Sequence, residues 1–178
     1  MTTDSTLSRL VVRRRPGDPA RGWLAAGGLV LPCALGRSGV TRDKREGDGA
    51  TPAGRFAPLQ AFFRADAGPR PRTTLPLRAI RPSDGWCDAA RDRNYNRPVA
   101  LPYPASAERM MREDGLYDLV VDLSANRRPI LKGRGSAIFL HVARTGVQPT
   151  EGCIALEKRA LAKLLARIGP RTRIVVVG

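Results

Sequence analysis

The chain holds one histidine, three cysteines and few aromatic residues, 5% of its 178 positions. Each shortage closes off a chemistry. Cys33, Cys87 and Cys153 stand far apart with no C-x-x-C pair, and His141 alone cannot complete a Cys/His ligand set, so no metal site is expected. Three widely spaced thiols read most simply as reduced. Bases need aromatic faces to stack on, and with so few aromatics and no RNP-like run a nucleic-acid platform is poorly supported. No segment approaches the ~18 apolar residues of a membrane span. The opening MTTDSTLSRLVVRRRPGDP has no apolar core before a small-residue cleavage site, so neither a spanning helix nor a Sec leader is expected.

What the chain has in excess is positive charge, 31 Lys and Arg against 16 Asp and Glu, for a net +15. A surface of that sign attracts polyanions, whether nucleic acid, anionic lipid or an anionic cell-wall polymer, unless it serves only solubility. Only Arg13-Arg14-Arg15 forms a run. The 18 glycines and 15 prolines are spread along the chain, which implies many turns and short strands. At this length one domain is expected, spanning residues 1–178.

Strand signals dominate. Leu7 to Val12 reads as a strand ended by the Pro16-Gly17-Asp18-Pro19 turn, and Gly27-Gly28 separates two apolar pieces as a hairpin would. Gly36 to Gly54 is polar and glycine-rich, an expected exposed loop on the substrate side; Phe56 to Phe63 follows as a strand. Ala65 to Pro104 reads as an ordered excursion or lid. Ala107, Met110 and Met111 recur at helical spacing, so a short helix is expected over Ala105 to Asp114. Leu116 to Leu123 is a strand. Ala155 to Ile168 carries Leu161, Leu164, Leu165 and Ile168 on one stripe before Gly169-Pro170, the pattern of a helix and its stop. Ile174 to Val177 is apolar throughout, as in a strand buried on both faces.

Ser136 to Val142, SAIFLHV, alternates so that Ile138, Leu140 and Val142 share one side and Ala137, Phe139 and His141 the other. Beyond it, TEGCIA places Cys153 after a glycine and just before the expected helix. A thiol at a helix N-terminus with an imidazole nearby is favoured as thiolate, and Gly152 permits a turn whose N–H groups converge on an oxyanion. Cysteine is also among the most buried residue types, and a lone histidine is commonly structural. Taken alone, the pair is either a core contact or a nucleophile and its base.

IFLH together with T-E-G-C-I resembles the L,D-transpeptidase catalytic domain family (YkuD-like), whose signature is a strand ending in His and then Ser/Thr-His-Gly-Cys-aliphatic-Arg/Asn. Thr51-Pro52-Ala53-Gly54-Arg55-Phe56 is similar to the family's Thr-Pro-x-Gly-x-Phe segment, and the likeness covers roughly Arg9 to Val177. Two positions depart from the pattern. Glu151 stands where the family has a second histidine, and Ala155 where it has arginine or asparagine.

The resemblance implies a mostly β fold, a sandwich of mixed sheets with a C-terminal helix packed on it. It also implies that Cys153 attacks the carbonyl preceding a terminal D-amino acid in a peptidoglycan stem peptide, with His141 as its base. The Val142 carbonyl would orient the imidazole, and N–H groups of Gly152 and Cys153 would hold the oxyanion. Thr150 and Glu151, with Trp86, Tyr95 and Asn96 on a lid, are the expected substrate contacts. No cofactor is required. That chemistry belongs in the periplasm or facing the cell wall, whereas a sequence with no visible signal peptide leaves the cytoplasm open. The competing reading is a basic module that binds nucleic acid or an anionic polymer, with an inert Cys153.

Overall fold

The computed structural model describes residues 6–178. They form fifteen strands and one helix: β1 (Arg9–Arg15), β2 (Asp18–Ala26), β3 (Leu29–Ala34), β4 (Val40–Thr41), β5 (Thr51–Pro52), β6 (Gly54–Phe56), β7 (Pro58–Phe63), β8 (Leu77–Ala79), β9 (Asp84–Cys87), β10 (Arg97–Ala100), β11 (Ala107–Arg109), β12 (Leu119–Leu123), β13 (Phe139–Val142), β14 (Ile154–Leu156), α1 (Lys158–Leu165) and β15 (Arg173–Val177). Strand accounts for 39% of the chain, so the fold is mostly β, with mixed sheets and a single C-terminal helix.

Ten strands make one sheet in the order β6-β15-β1-β2-β3-β14-β13-β12-β7-β8. It is mixed: β1/β15, β13/β14 and β7/β8 pair parallel, and the other neighbours antiparallel. Its two halves share one core. Leu10, Val12, Leu24, Ile174 and Val176 from one half meet Ala61, Val121, Leu123 and Leu140 from the other, with Leu161, Leu164 and Leu165 of α1 in the same cluster. Strand alternation makes this possible, because every second side chain turns inward.

A second, smaller core lies on the opposite side of β12 and β13. Phe62, Trp86, Met110, Tyr117, Val120, Phe139 and Cys153 pack there, and the three-stranded sheet β10-β9-β11 covers them. The SAIFLHV alternation is realised in this division: Ile138, Leu140 and Val142 enter the first core, Ala137 and Phe139 the second.

Four expectations change. Ala107 to Arg109 is not helical; it pairs antiparallel with β9 at Ala107↔Cys87, and Met110 is drawn into the second core. The C-terminal helix begins at Lys158 rather than Ala155, because Ile154 to Leu156 is taken up as β14 between β13 and β3. Glu157 then caps it, accepting from the N–H groups of Arg159 and Ala160, both at 3.0 Å. The Gly36 to Gly54 segment is not wholly exposed: β4 and β5 pair, and Ala50 and Thr51 are buried. Finally, β15 is open on one side, with Ile174 and Val176 buried and Val177 exposed.

Helix α1 is only eight residues long, too short to persist unsupported, so its three buried leucines hold it. Leu161→Ala is expected to lower the unfolding free energy by about 2–5 kcal/mol, read from the midpoint of a urea titration. Substitution at exposed Arg159 should leave that midpoint unchanged.

Candidate active site

Strands β13 and β14 run side by side in parallel, with His141 opposite Ala155. His141 and Phe139 share one face, and Cys153 comes up beside Phe139, whose N–H donates to Cys153 Sγ at 3.4 Å. The thiol in turn donates to the carbonyl of Ala137 at 3.1 Å. Gly152 makes the approach possible. Its φ is 138°, and a Cβ there would lie 2.8 Å from the Ala50 carbonyl oxygen.

His141 Nδ1 lies 2.8 Å from the carbonyl oxygen of Val142. A carbonyl can only accept, so Nδ1 carries the proton and Nε2 is left as the acceptor. Tyr117 meets the imidazole edge-on at 5.4 Å and 73°, and its hydroxyl donates to Glu108 at 2.7 Å. Glu108 also takes Arg112 at 3.4 Å. Arg112 is fixed by two further bonds to Asp114, at 2.9 and 2.5 Å, and lies 5.2 Å over the Tyr117 ring. Tyr117, Glu108 and Arg112 line one cavity of about 360 Å³ together with Cys153, His141, Thr150, Glu151 and Ala155.

Burial governs the ionisation of the pair. It pushes the Cys153 thiol up to about 12, against the Phe139 N–H that favours the anion. It pulls His141 down to about 4, against the Val142 carbonyl that favours the cation. At neutral pH the resting pair is therefore thiol and neutral imidazole. This overturns the expected thiolate at a helix N-terminus: β14 separates Cys153 from α1, and no helix dipole acts on it.

The other expected site residues fall into three groups. Gly152 donates its N–H to Thr150 Oγ1 at 3.1 Å, so that group is turned away from an oxyanion; Thr150 Oγ1 in turn donates to the Cys153 carbonyl at 2.7 Å and staples the turn. Glu151 is exposed at the rim and paired with Arg37. Trp86, Tyr95 and Asn96 do not reach the cavity, each being about 1% exposed, which corrects their reading as a substrate-facing lid. They support it from beneath. Asn96 Oδ1 accepts from Trp86 Nε1 and from the Ala137 N–H, both at 3.0 Å, and Nδ2 donates to the Asn126 carbonyl at 2.8 Å.

Sequence reasoning missed Tyr117, Glu108, Arg112 and the buried Lys44. Glu108 and Arg112 lie inside the segment expected to be a short helix, where neither was singled out. Lys44 comes from the glycine-rich segment, pairs with Asp48 and favours the Cys153 anion. Among the described residues no cluster of three or more His, Cys, Asp or Glu could hold a metal ion. None of the described helices is long and apolar enough to cross a membrane.

Residues 14–176 match the YkuD model, the L,D-transpeptidase catalytic domain, and the chain belongs to that family. No curated protein matches it. Among solved structures it is similar to an L,D-transpeptidase from Mycobacterium smegmatis, at 15% identity and a TM-score of 0.46, covering 98% of this chain and 59% of that one. It is also similar to Mycobacterium tuberculosis L,D-transpeptidase 1, at 15% identity and a TM-score of 0.41, covering 96% and 62% respectively. The chain thus spans about three-fifths of each.

Access and ionisation make separable predictions for the thiols. Cys153 opens to the cavity, whereas Cys33 and Cys87 are fully buried, so iodoacetamide should label Cys153 first in folded protein. Only thiolate reacts, and with the thiol raised to about 12 the labelling rate should still be climbing about tenfold per pH unit at pH 9. A plateau below pH 8 would mean a thiol of lowered pKa.

Proposed function

We propose that this domain is a cysteine-dependent L,D-transpeptidase acting on peptidoglycan stem peptides on the wall-facing side of the membrane. What carries the reading is the placement of His141, on β13, and Cys153, one residue before the adjacent parallel strand β14, in the lining of one cavity, with the imidazole held by the Val142 carbonyl so that Nε2 can accept a proton.

Because the resting thiol is protonated, attack and proton transfer go together. As Cys153 Sγ bonds to the carbonyl carbon of the L-residue preceding a terminal D-amino acid, its proton passes to His141 Nε2. The carbonyl oxygen becomes an oxyanion. With the Gly152 N–H engaged by Thr150, the Cys153 N–H is the donor left from the expected pair. Collapse breaks the C–N bond, and the imidazolium protonates the departing amine, leaving a thioester. An acceptor amine then attacks the thioester to form a cross-link, or water releases the shortened peptide; His141 takes the nucleophile's proton and returns it to sulfur.

Ala155 cannot anchor a substrate carboxylate. Arg112 can, since Asp114 and the Tyr117 ring fix its guanidinium on the wall of the same cavity. Glu151 stands at the rim to receive the acceptor ammonium. Its ion pair with Arg37 is exposed, and exposed pairs are worth about 0–1 kcal/mol, so an incoming amine competes with it readily.

Incubation with a stem tetrapeptide should give a Cys153 thioester and a released D-amino acid by mass spectrometry, both absent in Cys153→Ala. A soluble, folded protein that leaves the peptide intact and Cys153 unmodified would favour the binding-module reading. In the same assay Arg112→Ala should raise KM at least tenfold with a smaller change in kcat. Glu151→Gln should acylate at a similar rate and shift product from cross-link toward hydrolysis; an unchanged partition would refute its acceptor role.

A further inference from the structure

The proposed reaction leaves the outward face of β15, β1, β2 and β3 without a task. Strand register sets its composition. One row across the sheet reads Arg55, Val175, Val11, Ala25, Val30, and the next reads Val177, Arg13, Trp23, Pro32. Arg9 stands beside Arg173 at one end, and Arg21, two residues before Trp23, continues the face at the other. The alternate residues Leu10, Val12, Leu24, Ile174 and Val176 fill the core, so the outward set faces away from it. Trp23 is 42% exposed and Val30 62%. No position in these rows is acidic, and Arg9, Arg13 and Arg55 have no ion pair among the described residues; only Arg21 is paired, with Asp18 at 3.5 Å.

We infer that this face docks on an anionic lipid bilayer. The partner is chosen by the layout: an aliphatic centre of Val11, Ala25, Val30 and Val175 with one tryptophan, bordered by arginines, on a broad sheet surface. Phosphodiester headgroups satisfy the guanidinium border, and the apolar centre settles into the headgroup boundary, where tryptophan is favoured. A nucleic acid would meet the same charge, but aliphatic side chains offer its bases nothing to stack on. None of these residues lines the active-site cavity, so docking leaves it free.

The test uses the whole chain and vesicles of phosphatidylcholine with or without phosphatidylglycerol. Sedimentation should show binding to the anionic vesicles only, weakening as salt rises. Trp86 is buried and keeps its surroundings on docking, so a blue shift of tryptophan emission on binding reports Trp23, and Trp23→Phe should abolish it. Changing Arg9, Arg13 and Arg55 together to Glu should weaken binding by at least roughly a hundredfold, from about one kcal/mol per arginine. Val30→Ser should weaken it severalfold, and neither variant should alter Cys153 alkylation. The inference fails if anionic vesicles do not bind at low salt, if binding survives the triple change, or if it proceeds with no Trp23 shift. Tight duplex DNA binding without vesicle binding would likewise overturn it.

Discussion

The buried Asn96 amide is the joint on which the site depends. It sits between the excursion that carries Trp86 and the segment that enters β13, and its carboxamide bonds to both. A buried amide that lost one partner would cost about 1–3 kcal/mol, so the network tolerates little displacement. Ala137, held by Asn96 through its N–H, presents its carbonyl to the Cys153 thiol. The position of the sulfur is thus referred back, through Ala137 and Asn96, to a tryptophan that does not line the cavity. Asn96 meets the backbone demand as well, with φ of 55°, a conformation asparagine adopts more readily than most residues.

The same enclosure that fixes the sulfur also holds its proton. Burial raises Cys153 and lowers His141, so each is neutral at rest and neither needs a counter-ion. Two nearby cations are already paired: Arg112 with Glu108 and Asp114, Lys44 with Asp48. Lys44 and Arg112 favour the Cys153 anion, but burial outweighs them. In the proposed reaction the anion would form only as a carbonyl arrives to take it up, which would spare the sulfur from oxidation and stray electrophiles between turnovers.

Much of this was legible in the chain where periodicity and burial agree. The SAIFLHV alternation assigned His141 to the side away from the aliphatic core, and the leucine stripe marked α1. It failed where a tertiary partner overrode a local pattern. Met110 and Met111 have helical spacing from Ala107, yet β9 offers Ala107 a strand to pair with. Ala155 looked like the first turn of a helix, yet β13 and β3 leave a vacant place between them that a strand fills. The carboxylate and guanidinium of Glu108 and Arg112 were invisible as site residues for that reason: what places them beside His141 is the β9–β11 pairing and the packing of Tyr117, neither encoded at short range.

The parallel pairing of β1 with β15 ties segments far apart in the chain; the hydroxyl of Thr172 reaches the carbonyl of Leu7 across 165 positions. Closing so large a loop is entropically costly before any contact compensates for it, so this seam is expected to form after the β12–β13 and β2–β3 pairs have gathered the chain. Until then the inner residues of β1, Leu10 and Val12, and those of β15 lack their cover. The half-folded molecule therefore exposes an unfinished sheet edge rich in valine, and the arginines interspersed along β1 act as gatekeepers that keep such edges from joining one chain to the next.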